Sequence, residues 1–363
     1  MAQLVADILG IFCNILVVDA APSPTEFDIS LATHDSVSLA LRATLAWYFS
    51  RVYGRLEGPG TLPFYCDPAR VGYFAVSPAA LAAGDSATLF RLFVSLAMFQ
   101  ARRDVLIMRQ QARMSRDETR YLLSPSVIGR LAARSHCDLF DSAERFDSGC
   151  RVQKDGALVD CSYLPGAPCH VKDATVLLNR MGDMGKLPTS AWLHAWKGGL
   201  LKRLLKQVIA DESEPQARAA LLVGHFAKVY RVGVKLATMF VSALSTPALA
   251  PGLTPWFPAV DGNALVVVDT NVARAVDRLR KGEGLTTYEA RANWIREQAR
   301  KLDLREFASG AGSYSPRLVQ QALYSFCSKS NREAQGNGCP AGGPGCRQCV
   351  PVLCPFGCCS SAG

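Results

Sequence analysis

Apolar residues recur at helical spacing along most of the chain. In the stretch 87–115 they fall three or four positions apart, for example at Leu89 and Leu96, and this spacing predicts a helix with one apolar face. Asp85 or Ser86 stands just before that stretch, where a short polar side chain can cap the first turn. The pattern therefore predicts a helix that begins near position 86.

The same reading predicts helices over much of the rest of the chain. Residues 189–210 form a basic amphipathic pattern, 216–244 read as two helices joined by the tight turn VYRVGVK, and 315–329 read as a final helix. The apolar run ALVVV leads into the helical pattern DTNVARAVDRLR. Residues 136–172 and the Pro-rich 247–263 read as loops. This distribution favours an all-α fold.

Charge is unevenly distributed along the 363 residues. Positions 1–75 hold 4 Lys and Arg against 7 Asp and Glu, a net charge of −3, and the remaining residues hold 36 against 24, a net charge of +12. A basic body of this kind favours a polyanionic partner, with nucleic acid the first candidate. A basic protein that is merely soluble is the alternative.

Cysteine usage indicates the compartment and a metal site. No run of 18 uncharged apolar residues is present, and the apolar first twenty residues lack a basic start, so we expect neither a membrane span nor a signal peptide. A cytoplasmic location would keep thiols reduced. Seven of the 13 cysteines lie in residues 327–363. In a reducing compartment such a cluster favours metal binding over disulfides.

Four of these cysteines have ligand-like spacing. Cys339, Cys346, Cys349 and Cys354 follow the pattern C-x6-C-x2-C-x4-C on a Gly- and Pro-rich backbone. Four closely spaced thiolates can wrap one tetrahedral zinc ion or one iron–sulfur cubane. Their spacing leaves both possibilities open.

Three further segments carry candidate chemistry. VDTNV at 268–272 places Asp269 at a helix start, YRVGVKLA at 230–237 includes most of the tight turn, and LAMFQARRDV at 96–105 lies within the first predicted helix. Taken alone, Asp269 could be no more than an N-cap. The order of these segments along the chain is the more informative observation.

In that order, the segments and the cysteine loop resemble the helix-hairpin-helix DNA glycosylases, in particular endonuclease III and the adenine glycosylases. The resemblance spans roughly residues 85–358, although Tyr230 and Arg231 replace the family's proline and first glycine. It implies an all-α, two-lobed glycosylase fold with DNA docked at the cleft between the lobes. It also implies that the C-terminal cysteine loop holds a [4Fe–4S] cluster, with zinc as the alternative.

The resemblance also implies a role for each candidate residue. Asp269 would stabilise the positive charge that develops on the sugar, or activate a water. Lys235 falls where bifunctional members carry a Schiff-base lysine. Gln100 would fill the gap left by an extruded base, and Arg231 and Gly233 would grip a DNA phosphate through the hairpin.

The predicted domains follow from the same resemblance. We expect an N-terminal extension at 1–80, a helical core at 81–325 and a cysteine-rich iron–sulfur loop at 326–363. The expected features of the core are the hairpin at 226–244, the aspartate segment at 265–280 and insertions at 112–190 and 247–263.

The predicted function is excision of a damaged or modified base from double-stranded DNA, with or without strand cleavage by lyase chemistry. We expect a cytoplasmic, nucleoid-associated monomer that does not bind membranes. One alternative is a PIN-like metal-dependent nuclease, because ALVVVDTNV also resembles the opening strand of that fold. A second is a non-catalytic, metal-stapled DNA-binding module.

Overall fold

A computed structural model gives the fold of most of the chain. It describes residues 29–53, 62–100, 102–153, 156–159, 166–179, 184–281, 284–308, 311–329, 332 and 350–354.

Helices dominate this part of the chain, and the predicted all-α class is confirmed. The α-helices are α1 Ile29–Tyr48, α2 Pro68–Val71, α3 Pro78–Ala82, α4 Ser86–Ala97, α5 Asp104–Arg113, α6 Arg116–Leu122, α7 Pro125–Ser135, α8 Ala143–Gly149, α9 His170–Leu177, α10 Leu187–Ala191, α11 Leu200–Asp211, α12 Pro215–Phe226, α13 Val234–Ser245, α14 Thr270–Leu279, α15 Tyr288–Ala299 and α16 Pro316–Cys327. Two-residue strands β1 Arg151–Val152 and β2 Leu158–Val159 pair antiparallel.

Shorter helical turns connect these elements. The 3₁₀ turns are Phe64–Cys66, Gly72–Phe74, Asp138–Asp141, Lys197–Gly199, Pro247–Leu249, Leu304–Glu306 and Pro351–Leu353. The π-helical turns are Phe49–Tyr53 and Trp192–Trp196.

The chain divides into two compact units. The larger unit comprises Tyr53–Val267 and Tyr314–Leu318, and the smaller unit comprises Met1–Val52, Val268–Ser313 and Val319–Gly363. These units are cut at other positions than the domains expected from the sequence, whose boundaries stay a prediction.

An aromatic cluster forms the centre of the larger unit. Phe93 from α4 packs edge-on against Phe240 from α13, with 4.9 Å between ring centroids. Phe226 at the end of α12 lies 5.0 Å from Phe240 and stacks on Trp256 at 6.3 Å. Each such pair contributes about 0.5–1.5 kcal/mol beyond the burial of apolar area. The cluster therefore fixes the predicted pair of helices, α12 and α13, on α4.

Helices of the smaller unit are joined by apolar and charged contacts. Trp47 at the end of α1 packs edge-on against Phe326 of α16, 5.1 Å between centroids. Val272 and Val276 face inwards from α14 and are fully buried. Asp277 of α14 accepts two hydrogen bonds from Arg291 of α15, at 2.9 and 3.2 Å. These contacts pack α1 against α16 and α14 against α15.

Two predicted helices are broken in the structure. The stretch 87–115 is interrupted between Ala97 and Asp104, although Asp85 does cap α4 by accepting a 2.8 Å hydrogen bond from Thr88 N. The stretch 189–210 is broken at Gly198 and Gly199, which adopt φ values of 58° and 76°. A left-handed backbone ends an α-helix, and glycine is the residue that adopts it most readily.

The predicted loop at 136–172 also differs from the structure. It contains the helix α8, the paired strands and the first residues of α9. Ser142 caps α8 by accepting a hydrogen bond from Arg145 N at 3.1 Å. The helix α8 is only seven residues long, which is too short for an apolar period to be recognised.

Candidate functional site

Asp269 is the N-cap residue of α14. Its Oδ1 accepts a hydrogen bond from Val272 N at 2.8 Å, and its Oδ2 accepts one from Asn271 Nδ2 at 3.2 Å. A side-chain cap of this kind is worth about 1 kcal/mol. The half-buried carboxylate is therefore held in one orientation, which suits both a structural cap and a catalytic group.

The Asp269 carboxylate and two arginines of α14 are each close enough to interact electrostatically with the half-buried thiol of Cys327. Arg274 and Arg278 are exposed on α14, and Arg274 Nη2 donates to Asn271 Oδ1 at 2.7 Å. Burial raises the pKa of the Cys327 thiol to about 12; the Arg278 and Arg274 charges oppose this rise, and the Asp269 charge adds to it. A neutral thiol is the stable form at physiological pH, so Cys327 is not a ready nucleophile.

The two arginines of α14 and the Cys327 thiol were not predicted from the sequence as part of this site. The arginines had a detectable signal, because Thr270, Arg274 and Arg278 recur every four residues and so share one helix face. Cys327 had none, since it comes from α16 and meets α14 only through the tertiary fold.

The turn between α12 and α13 exposes two of the predicted DNA-contact residues. Arg231 is exposed and adopts φ 62°, in the left-handed region that favours glycine. Gly233 is exposed in extended backbone, with φ −91°, and a Cβ added there would meet nothing within 4 Å. Space and φ therefore do not require glycine at position 233, whereas the backbone at 231 would favour it.

Contacts with α10 and its surroundings anchor the turn on the core. Tyr230 N donates to Ser190 Oγ at 3.0 Å. Lys186 Nζ lies 4.3 Å from the centroid of the Tyr230 ring and donates to Asp147 O at 2.8 Å. Lys186 is only 7% exposed, so the ring and the carbonyl replace the water that its charge would otherwise attract. Sequence analysis did not identify this anchor, whose members are up to 83 positions apart.

A carboxylate–histidine pair lies in the same unit. His194 Nε2 is 2.9 Å from Asp147 Oδ2, and the two side chains are 6% and 20% exposed. His225 Nε2 bonds to the His194 carbonyl at 3.0 Å. Burial lowers the pKa of His225 below its usual value, so this ring is uncharged near neutral pH. His194 and Asp147 are 47 positions apart, and nothing in the sequence predicted that they would pair.

Lys235 and Gln100 are both half-buried. Lys235 lies in the first turn of α13, and Gln100 Nε2 donates to Ala97 O at 2.5 Å just beyond the end of α4. Arg231, Gly233 and Lys235 lie close together because they share one turn. These four residues belong to the larger unit, and Asp269 belongs to the smaller one.

The predicted cluster ligands fall mostly outside the described residues. Cys339, Cys346 and Cys349 lie there, and Cys354 is buried at 5% exposure after the turn Pro351–Leu353. Within the part of the chain that the structure describes, no group of three or more His, Cys, Asp or Glu side chains forms a metal site. The [4Fe–4S] cluster and the zinc alternative therefore stay predictions.

The segment before Asp269 bears on the nuclease alternative. Residues 265–268 are buried but are not part of a strand, and β1 and β2 are the strands found in the described ranges. The opening strand on which a PIN-like fold would depend is therefore missing at this position.

Among the helices of the described segments, none is both long enough and apolar enough to cross a membrane.

The chain matches no protein family model, no curated protein and no solved structure.

Proposed function

We propose that this protein is a DNA base-excision glycosylase that removes a damaged or modified base from double-stranded DNA. The observation that carries this proposal is the Asp269 carboxylate, held by two hydrogen bonds at the start of α14, a helix that also carries exposed Arg274 and Arg278. A fixed anion at the start of a helix that also carries exposed cations is suited to a reaction at the sugar of a polyanion.

In the proposed reaction, the bond between C1′ of the deoxyribose and the base breaks, and the base leaves with the bonding electrons and takes up a proton. The carboxylate of Asp269 stabilises the positive charge that develops on the sugar. Hydrolysis is completed when a water adds its hydroxyl group to C1′. Arg274 and Arg278 bind flanking phosphates as point charges that carry no sequence information.

Lys235 provides a second possible mechanism, the lyase course, in which the strand is also cleaved. Its neutral amine attacks C1′, displaces the base and forms a Schiff base, and β-elimination then breaks the strand on the 3′ side. Arg231 and the amide of Gly233 hold a phosphate at the hairpin, and Gln100 fills the vacated stack. We further propose that the protein acts as a monomer at the nucleoid.

The cysteine loop has a structural role in this proposal. Cys339, Cys346, Cys349 and Cys354 would hold a [4Fe–4S] cluster, or zinc, and thereby order the Gly- and Pro-rich C-terminal segment. Excision itself uses the carboxylate, the lysine and the hairpin.

The test is release of free base from duplex oligonucleotides that each carry one lesion, measured in the presence of EDTA. The proposal expects release from at least one lesion, and borohydride should trap a covalent adduct that Lys235→Ala abolishes if the lyase course operates. Strand cleavage that EDTA prevents would favour a nuclease instead. Tight binding without release from any lesion would favour a non-catalytic DNA-binding module.

A further inference from the structure

A second candidate site lies wholly within the larger unit. A cleft of about 460 Å³ is walled by α4, by α6 and by the segment Tyr73–Ser77. Its volume is in the range of about 300–1,000 Å³ that small-molecule sites occupy. None of the candidate glycosylase residues lines it.

Three arginines line this cleft. Arg91 comes from α4, and Arg116 and Arg120 lie one turn apart on α6. None of the described residues that line the cleft is acidic. Within the described part of the chain, none of the three arginines lies within 4.0 Å of a carboxylate oxygen. Three cations gathered in one concavity without a counter-ion indicate an anionic ligand.

The nearby carboxylates are engaged elsewhere. Asp85 accepts hydrogen bonds from Thr88 N and Thr88 Oγ1, at 2.8 and 2.7 Å. Glu118 accepts from Ser115 N and Ser115 Oγ, at 2.8 and 2.7 Å, and these hydrogen bonds lower the pKa of Glu118. Both acids serve as helix caps, and neither forms an ion pair with Arg91, Arg116 or Arg120.

Arg91 is fixed in the wall of the cleft. Its Nη1 donates to the carbonyl oxygens of Tyr73 and Ala75, each at 3.4 Å. Arg91 is half-buried, and a guanidinium stays charged at any physiological pH. Since these bonds use one nitrogen of a group that has five N–H donors, the remaining donors suit a multidentate anion.

Thr119 supplies an independent sign of a missing ligand. The residue lines the cleft and is 1% exposed. Its Oγ1 is buried and has no hydrogen-bond partner among the described residues. A buried hydroxyl without a partner is unfavourable, and an anionic oxygen in the cleft would accept its hydrogen bond.

We propose that this cleft binds a nucleoside polyphosphate. Arg91, Arg116 and Arg120 hold the phosphate oxygens, and Thr119 donates to one of them. The ring of Tyr73 is 54% exposed at the edge of the cleft and offers an aromatic face for the base. This inference does not depend on the glycosylase proposal.

The test is calorimetric titration of the full chain with ATP, tripolyphosphate and a single-stranded oligonucleotide. We expect ATP to bind more tightly than tripolyphosphate, because only ATP can stack on Tyr73. Removal of one charged hydrogen-bonding group should weaken binding about tenfold or more, so Arg120→Gln should raise the Kd for ATP by that factor. Arg134→Gln, which removes an exposed arginine that does not line the cleft, should leave it within about twofold.

Thr119→Val separates binding from folding. It replaces an unpartnered hydroxyl by a methyl group of similar size, so we expect an unchanged or higher Tm together with weaker ATP binding. The proposal is overturned if ATP does not bind, if the oligonucleotide binds and ATP does not, or if Arg134→Gln weakens ATP binding as much as Arg120→Gln does.

Discussion

The start of α14 and the turn between α12 and α13 present their functional side chains in opposite ways. At α14, both oxygens of Asp269 accept hydrogen bonds at 2.8 and 3.2 Å, so the group is fixed before any ligand arrives. At the turn, Arg231 is exposed and its φ of 62° is unfavourable for any residue with a Cβ. The turn is instead held on its buried side. Tyr230 N forms a hydrogen bond, the Val232 side chain is buried, and the aromatic cluster packs the helices that flank the turn.

This difference separates two requirements of a DNA-modifying enzyme. A group that stabilises charge at the sugar must be positioned precisely, because misplacement reduces electrostatic stabilisation. A phosphate contact needs only an accessible backbone and a positive charge, provided that the support beneath it is rigid. Substitutions in the two regions should therefore differ in whether they change stability, DNA affinity or the rate of base release.

The largest effect on stability should come from a substitution in the aromatic cluster that packs the helices on either side of the turn. Phe240 is fully buried between Phe93, Phe226 and Trp256, so Phe240→Ala should lower the free energy of unfolding by about 3–5 kcal/mol. Denaturant titration measures this loss. Leu221→Ala, at an exposed position of α12, should change it by less than about 0.5 kcal/mol. A loss below about 1 kcal/mol for Phe240→Ala would show that the cluster does not support the turn.

Acid should destabilise the larger unit next most strongly. Burial lowers the pKa of His170 from 6.5 to about 4, so the unfolded chain takes up a proton that the folded chain refuses between these values. Stability should therefore fall as the pH drops from about 6.5 to about 4, by up to about 3 kcal/mol.

Unfolding titrations at pH 7 and pH 4.5 measure this dependence. His170→Gln should reduce it, since the residue that takes up the proton is gone. His136→Gln, which removes an exposed histidine, should retain it. Equal pH dependence in wild type and His170→Gln would contradict the assignment.

Gly233 directly precedes α13, and Gly262 packs against its last residue through a hydrogen bond from Gly262 N to Ser245 O. The two glycines should differ in their response to alanine. A Cβ on Gly262 would lie 2.5 Å from Ser245 Oγ and 2.6 Å from Thr246 Oγ1, whereas one on Gly233 would meet nothing. Gly262→Ala should therefore destabilise the protein by about 1–3 kcal/mol, and Gly233→Ala should change stability by less than about 0.5 kcal/mol.

The affinity of the Gly233→Ala protein for duplex DNA tests the proposed phosphate contact at this turn. If a phosphate approaches the amide of Gly233 closely, Gly233→Ala should weaken duplex binding in a fluorescence anisotropy titration while its Tm stays unchanged. Unaltered duplex binding would remove Gly233 from the proposed phosphate contact.

Replacing Arg231 should have only a small effect on stability. Arg231→Gly relieves the left-handed strain but adds freedom to the unfolded chain, so we expect a net gain of about 0.5 kcal/mol. Loss of one phosphate contact should also reduce the dependence of log K on log salt by about 1. Lys281, a second exposed basic residue with positive φ, 54°, provides the control. Lys281→Gly should gain similar stability and keep the salt dependence, and identical salt slopes for both variants would contradict a contact at Arg231.

Local signals in the sequence predicted the elements that carry the candidate residues. The outer bounds of the pair α12 and α13, predicted at 216 and 244, are correct to within a residue, whereas the turn predicted at 229–235 includes the first two residues of α13. The break after Ala97 was missed because buried Met98 and Phe99 continue the apolar pattern past the end of α4. Gly198 and Gly199 could have indicated a break, but the amphipathic pattern on both sides of them was interpreted as one helix.

Tertiary neighbours could not be predicted in this way. Asp269 was recognisable as a residue at a helix start, but the contribution of Cys327 to its surroundings depends on how α14 and α16 pack. The same holds for Lys186 beneath Tyr230 and for the three arginines of the cleft, which come from two helices. Helical periodicity predicts which face of a helix is buried and not which other helix covers it.

The most direct test of the central claim is the single-turnover rate of base release by Asp269→Asn. Asparagine caps a helix about as well as aspartate, so the fold should persist while the negative charge is lost. We expect the rate to fall by about 10²–10⁴-fold with duplex affinity nearly unchanged. Asp67→Asn, the same exchange at the N-cap of α2, should retain the wild-type rate. An Asp269→Asn protein that releases base at the wild-type rate would contradict the assignment of Asp269 as the catalytic carboxylate.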